Sequence, residues 1–219
     1  MVAVSCMERT LKLVRVLIDA GANVRAITKE RYTALHMMID VNGPTGSGRV
    51  PGQVARMLLK AGADTEVRQH WGWTPLMRAV VEGTSDEVRA IVDIGGKVNT
   101  RFPRHTKPAY LRGRTVLMAA IGAPAKVAIL IDLGVDLTAD DAYGKTALAY
   151  AQECLAEAES WGPSSHRIPR ETADAVRADL VKHIGEMGID TRPAHECDRK
   201  DPTGSKSSIL QERCTSRLL

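Results

Sequence analysis

Thr74-Pro-Leu-Met-Arg-Ala-Val-Val-Glu82, followed by Ile91-Val-Asp-Ile-Gly95, is the stretch on which the fold turns. A threonine hydroxyl can cap the first turn of a helix, and proline at the first helical position gives up no needed hydrogen bond. The closing glycine suits a left-handed position after a helix, where a Cβ would be strained. The pattern recurs. Thr33-Ala-Leu-His, Thr115-Val-Leu-Met and Thr146-Ala-Leu-Ala repeat the opening, and Leu17-Ile-Asp-Ala-Gly21, Leu58-Leu-Lys-Ala-Gly62 and Leu130-Ile-Asp-Leu-Gly134 repeat the close. A more degraded close reads His183-Ile-Gly-Glu-Met-Gly188. Gly21 to Thr33, Gly62 to Thr74 and Gly134 to Thr146 are each 12 residues, and Thr74 to Gly95 is 21.

Residues placed at such fixed intervals imply short helix pairs. Leu35, Leu76, Leu117 and Leu148 occupy one site of the unit and are expected in a shared core. Leu17-Ile18, Leu58-Leu59, Ile91-Val92 and Leu130-Ile131 recur on the second helix. No single pair buries enough apolar area, so neighbours must stack. An aromatic content of 4% beside 44% hydrophobic residues agrees with thin layers of small helices.

The unit resembles the ankyrin-repeat family, with its period of about 33 residues and Thr-Pro-Leu-His-x-Ala signature. The resemblance covers roughly residues 1–190. It implies an all-α solenoid of stacked helix–turn–helix units with short β-turn fingers, in five repeats at 1–27, 28–68, 69–109, 110–140 and 141–190. About ten helices are expected. Repeat 1 has a cropped first helix, because Met1 falls near the signature proline. Repeat 2 is lengthened by 8 residues around 41–49, the finger between repeats 3 and 4 by 8, and repeat 5 by about 21 around 160–166. The signature histidine survives only as His36; Met77, Met118 and Ala149 replace it, which predicts that side-chain bonding at that site is mostly lost. Residues 191–219 lack periodicity and are expected to be a disordered tail.

A net charge of +4 at pH 7 is mild and does not by itself call for nucleic acid. Cys6, Cys154, Cys197 and Cys214 have no paired spacing and read as free thiols in a reducing compartment. The start carries no basic segment followed by an apolar one, so no signal peptide is expected. The apolar run Met118–Ile131 is too short and too interrupted to span a bilayer. An intracellular, cytoplasmic monomer is expected, and export as an effector by a signal-less route is compatible with the same residues.

Three constellations suggest catalysis or metal binding and fall short. Gly43-Pro-Thr-Gly-Ser-Gly-Arg49-Val50 approaches a phosphate-binding loop, but Arg49 stands in the place of lysine and Val50 in that of the hydroxyl residue. His195-Glu-Cys197 with Cys214 supplies too few ligands for structural zinc. His36 has no assembled nucleophile beside it, and in the family that histidine is structural. No enzyme activity, cofactor or metal is expected. Met37, Met38, Met57, Met77 and Met118 read as core fillers.

The aromatics carry the functional expectation. Of eight, six fall outside the repeat helices: Tyr32, Trp71, Trp73, Phe102, Tyr110 and Tyr143. Most lie in the finger just before a Thr-x-Leu signature. The resemblance implies that fingertips and the exposed face of the first helices hold partners. The residues so assigned are Tyr32, His70, Trp71, Trp73, Arg101, Arg104, Arg112, Arg114, Tyr143 and Lys145, with Trp71, Trp73, Arg112, Arg114 and Tyr143 expected on one groove. Trp, Tyr and Arg dominate interface energetics. From Ile94 to Ile131 there is no Asp or Glu, while Arg101, Arg104, Lys107, Arg112 and Arg114 crowd the finger 100–114. The leading expectation is a protein-binding module, with a partner that has an acidic or mixed surface. The alternative is a nucleic acid or another anionic ligand held by the basic finger 100–114.

Overall fold

The computed structural model describes residues 2–39, 51–160 and 170–188. The chain divides into two compact units, Met1–His183 and Ile184–Leu219. The first is all-α among its described residues: α1 Val2–Asp19, α2 Ala34–Met37, α3 Pro51–Lys60, α4 Pro75–Glu82, α5 Ser85–Asp93, α6 Val116–Ala120, α7 Pro124–Asp132, α8 Ala147–Ser160, and most of α9, Arg170–Glu186. Of the second unit, Ile184–Gly188 is described, closing with Gly188 in the left-handed region and its N–H donating to the Gly185 carbonyl. The near-miss phosphate loop, the His195–Cys197 pair, the insertion near 160–166 beyond Ser160 and the tail lie outside the described residues.

Two rows of helices build the stack. Helices α2, α4, α6 and α8 contact one another in succession, and α1, α3, α5 and α7 form the second row. Within a unit α2 meets α3, α4 meets α5, and α6 meets α7. No strand forms among the described residues; two isolated antiparallel bridges, Arg101 with Thr115 and Asp140 with Thr146, close finger bases. This is the all-α repeat solenoid that the resemblance implies.

Leu35, Leu76, Leu117 and Leu148 are all buried, at 0%, 1%, 1% and 8% exposure, as one recurring site should be. On the second row Leu58, Ile91 and Leu130 are buried, but Leu17 is 50% exposed. Among the described residues nothing stacks on that side of α1, so Leu13 and Val16 are exposed too. The first repeat also departs from the expected helix pair. Elsewhere Gly83, or Gly122 with Pro124, interrupts the chain between the two helices; from Val2 to Asp19 there is neither residue, and α1 runs on unbroken.

Each first helix opens on the predicted threonine. Thr33, Thr74, Thr115 and Thr146 accept from the N–H three residues on, at 3.3–3.4 Å. The loss of the signature histidine is smaller than its replacement by methionine suggests. The sulfurs of Met77 and Met118 accept from the Thr74 and Thr115 N–H groups at 3.5 and 3.4 Å. Thioether sulfur is a weak acceptor, yet it completes the cap. What methionine cannot replace is the outward bond: His36 Nε2 reaches the Trp73 carbonyl of the next repeat at 3.0 Å, while its Nδ1 accepts from Thr33 N–H at 3.2 Å.

Further polar ties join each repeat to the next. Four residues after three successive glycines stand Arg25, Glu66 and Asn99. Arg25 Nε donates to the Gly62 carbonyl at 2.7 Å, Glu66 accepts from Lys97 N–H at 3.2 Å, and Asn99 accepts from Asp136 N–H at 2.8 Å. Ties also run backwards, from the first helix α4 and the second helix α7: Arg78 donates to the His36 carbonyl at 2.8 Å and Lys126 to the Val80 carbonyl at 2.7 Å. Burial lowers the Lys126 pKa, and Glu87 partly restores it.

His36 is fully buried, and burial lowers its pKa to about 4, opposed by its bond to the Trp73 carbonyl and reinforced by Arg78. The folded chain therefore refuses a proton that the unfolded chain, with histidine near 6.5, accepts. Its contribution is intact above pH 6.5 and is lost as pH falls toward 4, up to about 3 kcal/mol. Denaturant unfolding of the wild type and of His36→Met at pH 7 and pH 5 is expected to show the steeper acid loss in the wild type. Equal losses would mean that His36 can take up a proton in place.

Candidate functional site: the finger layer

Three of the fingers are built by one local device. Five residues before Thr33, Thr74 and Thr146, Thr28, Gln69 and Asp141 donate their N–H to the carbonyls of Tyr32, Trp73 and Lys145, at 2.8–3.0 Å. Their side chains also turn back on the finger: Thr28 Oγ1 accepts from Tyr32 N–H, Gln69 Oε1 from Trp71 N–H, and Asp141 Oδ1 from Tyr143 and Lys145 N–H. Two residues before the threonine the backbone enters the left-handed region, at Gly72, Gly113 and Gly144 with φ of 80°, 72° and 73°. The first finger places Arg31 there, at φ 65°. A side chain in that region costs about 1–2 kcal/mol. Arg31 Nε donates to the Arg68 carbonyl of the next finger at 3.1 Å.

The aromatic residues form a ladder across three fingers. The His36 and Tyr32 rings meet edge to face at 5.8 Å, His70 lies 6.2 Å from Tyr32 and 4.5 Å from Trp71, Trp71 is 5.9 Å from Trp73, and Trp73 is 5.7 Å from Phe102. Arg78 lies over Tyr32 at 5.1 Å. The inner end of this ladder is core. Trp73 is 2% and Phe102 1% exposed. The expectation that Trp73 faces a partner groove is therefore corrected: its indole N–H donates to Thr106 Oγ1 at 2.6 Å, and that hydroxyl donates to the Trp71 carbonyl at 2.8 Å. The reason lies in the eight-residue extension, which folds back over the preceding finger. Pro103 approaches so closely that a Cβ on Gly72 would lie 2.5 Å from its Cγ. Thr106, fully buried, was not singled out by sequence, because a threonine in a loop carries no periodic signal.

The other assigned residues divide by how far their groups are already occupied. Arg114 is half-buried, with its guanidinium 3.9 Å above the Tyr150 ring, and Tyr150 donates to Asp141 at 2.6 Å. Burial opposes ionisation of Asp141, but hydrogen bonds from Tyr150, Lys145 and Tyr143 outweigh it and hold the carboxyl below its usual range. Lys145 pairs with Glu153 at 2.6 Å, a hydrogen bond that raises its pKa. Trp71 and Tyr32 are half-buried. Arg112 is exposed while its Nε donates to the Thr106 carbonyl at 3.2 Å. Exposed Arg101 pairs with Asp140 at 3.1 Å. Arg104 and His70 are exposed, and Tyr143 is 77% exposed. The five residues expected on one groove thus do not all face solvent. A cleft of about 470 Å3 opens on this layer, lined by Arg68, Arg101, Arg104, Phe102, Pro103 and Gly113 among others. Arg68 escaped the sequence reading because it precedes the finger aromatics.

Among the described residues no three His, Cys, Asp or Glu side chains gather in a metal-holding group, and no helix is long and apolar enough to cross a membrane. His36, with both ring nitrogens bonded and no exposure, serves the stack.

The helix pairs, capping threonines and left-handed glycines recur in the family described as ankyrin repeats (3 copies), whose profile matches residues 47–141. These residues are ankyrin repeats. The chain is also 35% identical over 88 residues to a glycerophosphocholine phosphodiesterase from Schizosaccharomyces pombe. The match takes in 40% of this chain and 7% of that protein's length, so the chain corresponds to a small part of that relative. Ankyrin repeats are in general protein–protein interaction modules.

Two predictions concern these fingers. Trp73→Ala is expected to cost about 3–5 kcal/mol of stability and Thr106→Val about 1–3, with Tyr143→Ala within about 0.5, measured by urea unfolding. A silent Trp73→Ala would detach the indole from the core. Arg31→Gly is expected to be more stable than Arg31→Ala by about 1 kcal/mol, since both lose the bond to Arg68 and only alanine keeps the strain. The opposite order would place the strain elsewhere.

Proposed function

We propose that the chain binds another protein through the exposed part of its finger layer and the adjoining face of the first helices, and has no catalytic role of its own. The observation that carries this reading is the contrast within the layer. Buried Trp73, Phe102 and Thr106 hold the finger backbones, while Tyr110 at 60% exposure and Tyr143 at 77% stand out beside exposed Arg104 and Arg112. Side chains of these types on a preorganised backbone bury large area at low entropic cost. Exposed cations on the finger 100–114 favour an acidic or mixed partner surface, and an intracellular site of action fits Cys154, which is in no disulfide among the described residues.

The same cations motivate a second reading, in which a nucleic acid lies along the finger. It is the weaker one, because Arg114 is committed to the Tyr150 ring, which leaves fewer cations in line for a run of phosphates. Salt separates the two: phosphate-backbone affinity falls steeply with ionic strength.

Affinity purification on the full chain, with mass spectrometry of what co-elutes, supplies the partner. Tyr143→Ala and Tyr110→Ala are each expected to weaken its binding by about 1–2 kcal/mol with the melting temperature unchanged. Unchanged affinity in both variants, or nuclease-sensitive binding that vanishes with modest salt, would defeat the proposal.

A further inference from the structure

We infer that the cleft lined by Arg68, Arg101 and Arg104 receives a phosphate monoester carried by the protein partner, a phosphoserine or phosphothreonine side chain. The inference rests on the protein-binding reading above and gives it a chemistry. Three residues lining one cleft of about 470 Å3 carry guanidinium groups, and all three residues are exposed. They come from two successive fingers, so the cleft exists only when the repeats stack.

The groups differ in how they are held. Arg68 is anchored by one nitrogen on the Gly72 carbonyl at 2.8 Å, which fixes its head and leaves its other donors free. Arg101 leans on Asp140 at 3.1 Å; the side chains are 46% and 60% exposed. An ion pair that open contributes little and yields readily to a stronger anion. Arg104 makes no hydrogen bond or ion pair among the described residues. Facing these cations, the carboxylates are Asp140 and, through its charge interaction with Arg101, Asp136; no Asp or Glu occurs from Ile94 to Ile131. Phe102 and Pro103 line the same cleft, and the Phe102 ring in the core keeps its wall rigid.

The number of cations selects the anion. A carboxylate carries one charge on two oxygens, which a single bidentate arginine satisfies. A phosphate monoester carries nearly two charges on three strong acceptor oxygens, and converging arginine forks match it. A partner segment lying across the fingers would set such a group into the cleft.

The test uses the full chain, isotope-labelled for amide chemical shifts, and neutral Gly-Ala peptides with a central phosphoserine, glutamate or serine, beside inorganic phosphate. The phosphoserine peptide is expected to shift Arg101, Phe102, Arg104 and Gly113 saturably. The combined variant Arg101→Gln, Arg104→Gln is expected to lose at least about tenfold in affinity while keeping its melting temperature, as suits charge-assisted bonds from exposed side chains. Shifts elsewhere, an equal response to the glutamate peptide, indifference to the variant, or inorganic phosphate binding as tightly as the peptide would each overturn the inference. The captured partner gives the second arm. Loss of capture after phosphatase treatment supports a phosphorylated ligand. Capture that survives both phosphatase and the double variant overturns the cleft's role and leaves the protein-binding reading standing. If no partner is captured at all, that reading falls, and the peptide titration still decides the cleft.

Discussion

A helix of four to ten residues cannot hold itself together in water, and the whole fold answers that constraint by stacking. Helices α2, α4 and α6, of 4, 8 and 5 residues, exist because each buries its leucine between neighbours. Apolar stacking alone leaves register loose. Here the register is pinned by side chains that bond the backbone of the adjacent repeat: Arg25, Glu66 and Asn99 after the glycines, His36 at a helix start, and Arg78 and Lys126 reaching back. A buried carbonyl left without a partner is costly, so a slip by one residue would strand the buried Trp73 and His36 carbonyls together. Where α1 has no further repeat on its outer side among the described residues, Leu13, Val16 and Leu17 remain exposed.

The same constraint reshapes the fingers. In a short turn an aromatic side chain would be free to meet a partner. The lengthened finger instead doubles back, and Trp73, Thr106 and Phe102 become a second small core beside the helices. The consequence for function is a division of labour within a few residues. The inner aromatics make the layer stiff, and the outer cations and tyrosines are what it can offer. A rigid, positively charged rim spends less conformational entropy on binding than a loose loop would.

Much of this was legible in the sequence because it depends on short-range rules. Threonine caps, left-handed glycines and one leucine per unit follow from local geometry, and their fixed intervals expose the repeat. The surface was less legible. Whether Trp73 faces water depends on where residues 103–106 fold, which no spacing encodes. Methionine at the histidine position looked like a lost bond, yet Met77 and Met118 sulfurs still cap their helices. Arg31 occupies a slot that three other fingers give to glycine, and its residue type gives no sign of it. Arg114 and Lys145 looked like free cations until Tyr150 and Glu153 were seen beside them.

Amide hydrogen exchange on the long finger tests the central claim, that the finger layer is an extension of the core. The N–H groups of Phe102 and Gly113 donate to the carbonyls of Arg114 and Phe102, outside any helix. If buried Trp73 and Thr106 lock that finger, both amides exchange within about tenfold of Ala119 in α6, because they open only with the repeat itself. Exchange of both at the rate of an unprotected surface loop, with Ala119 still slow, would contradict the account and return the finger to a flexible appendage.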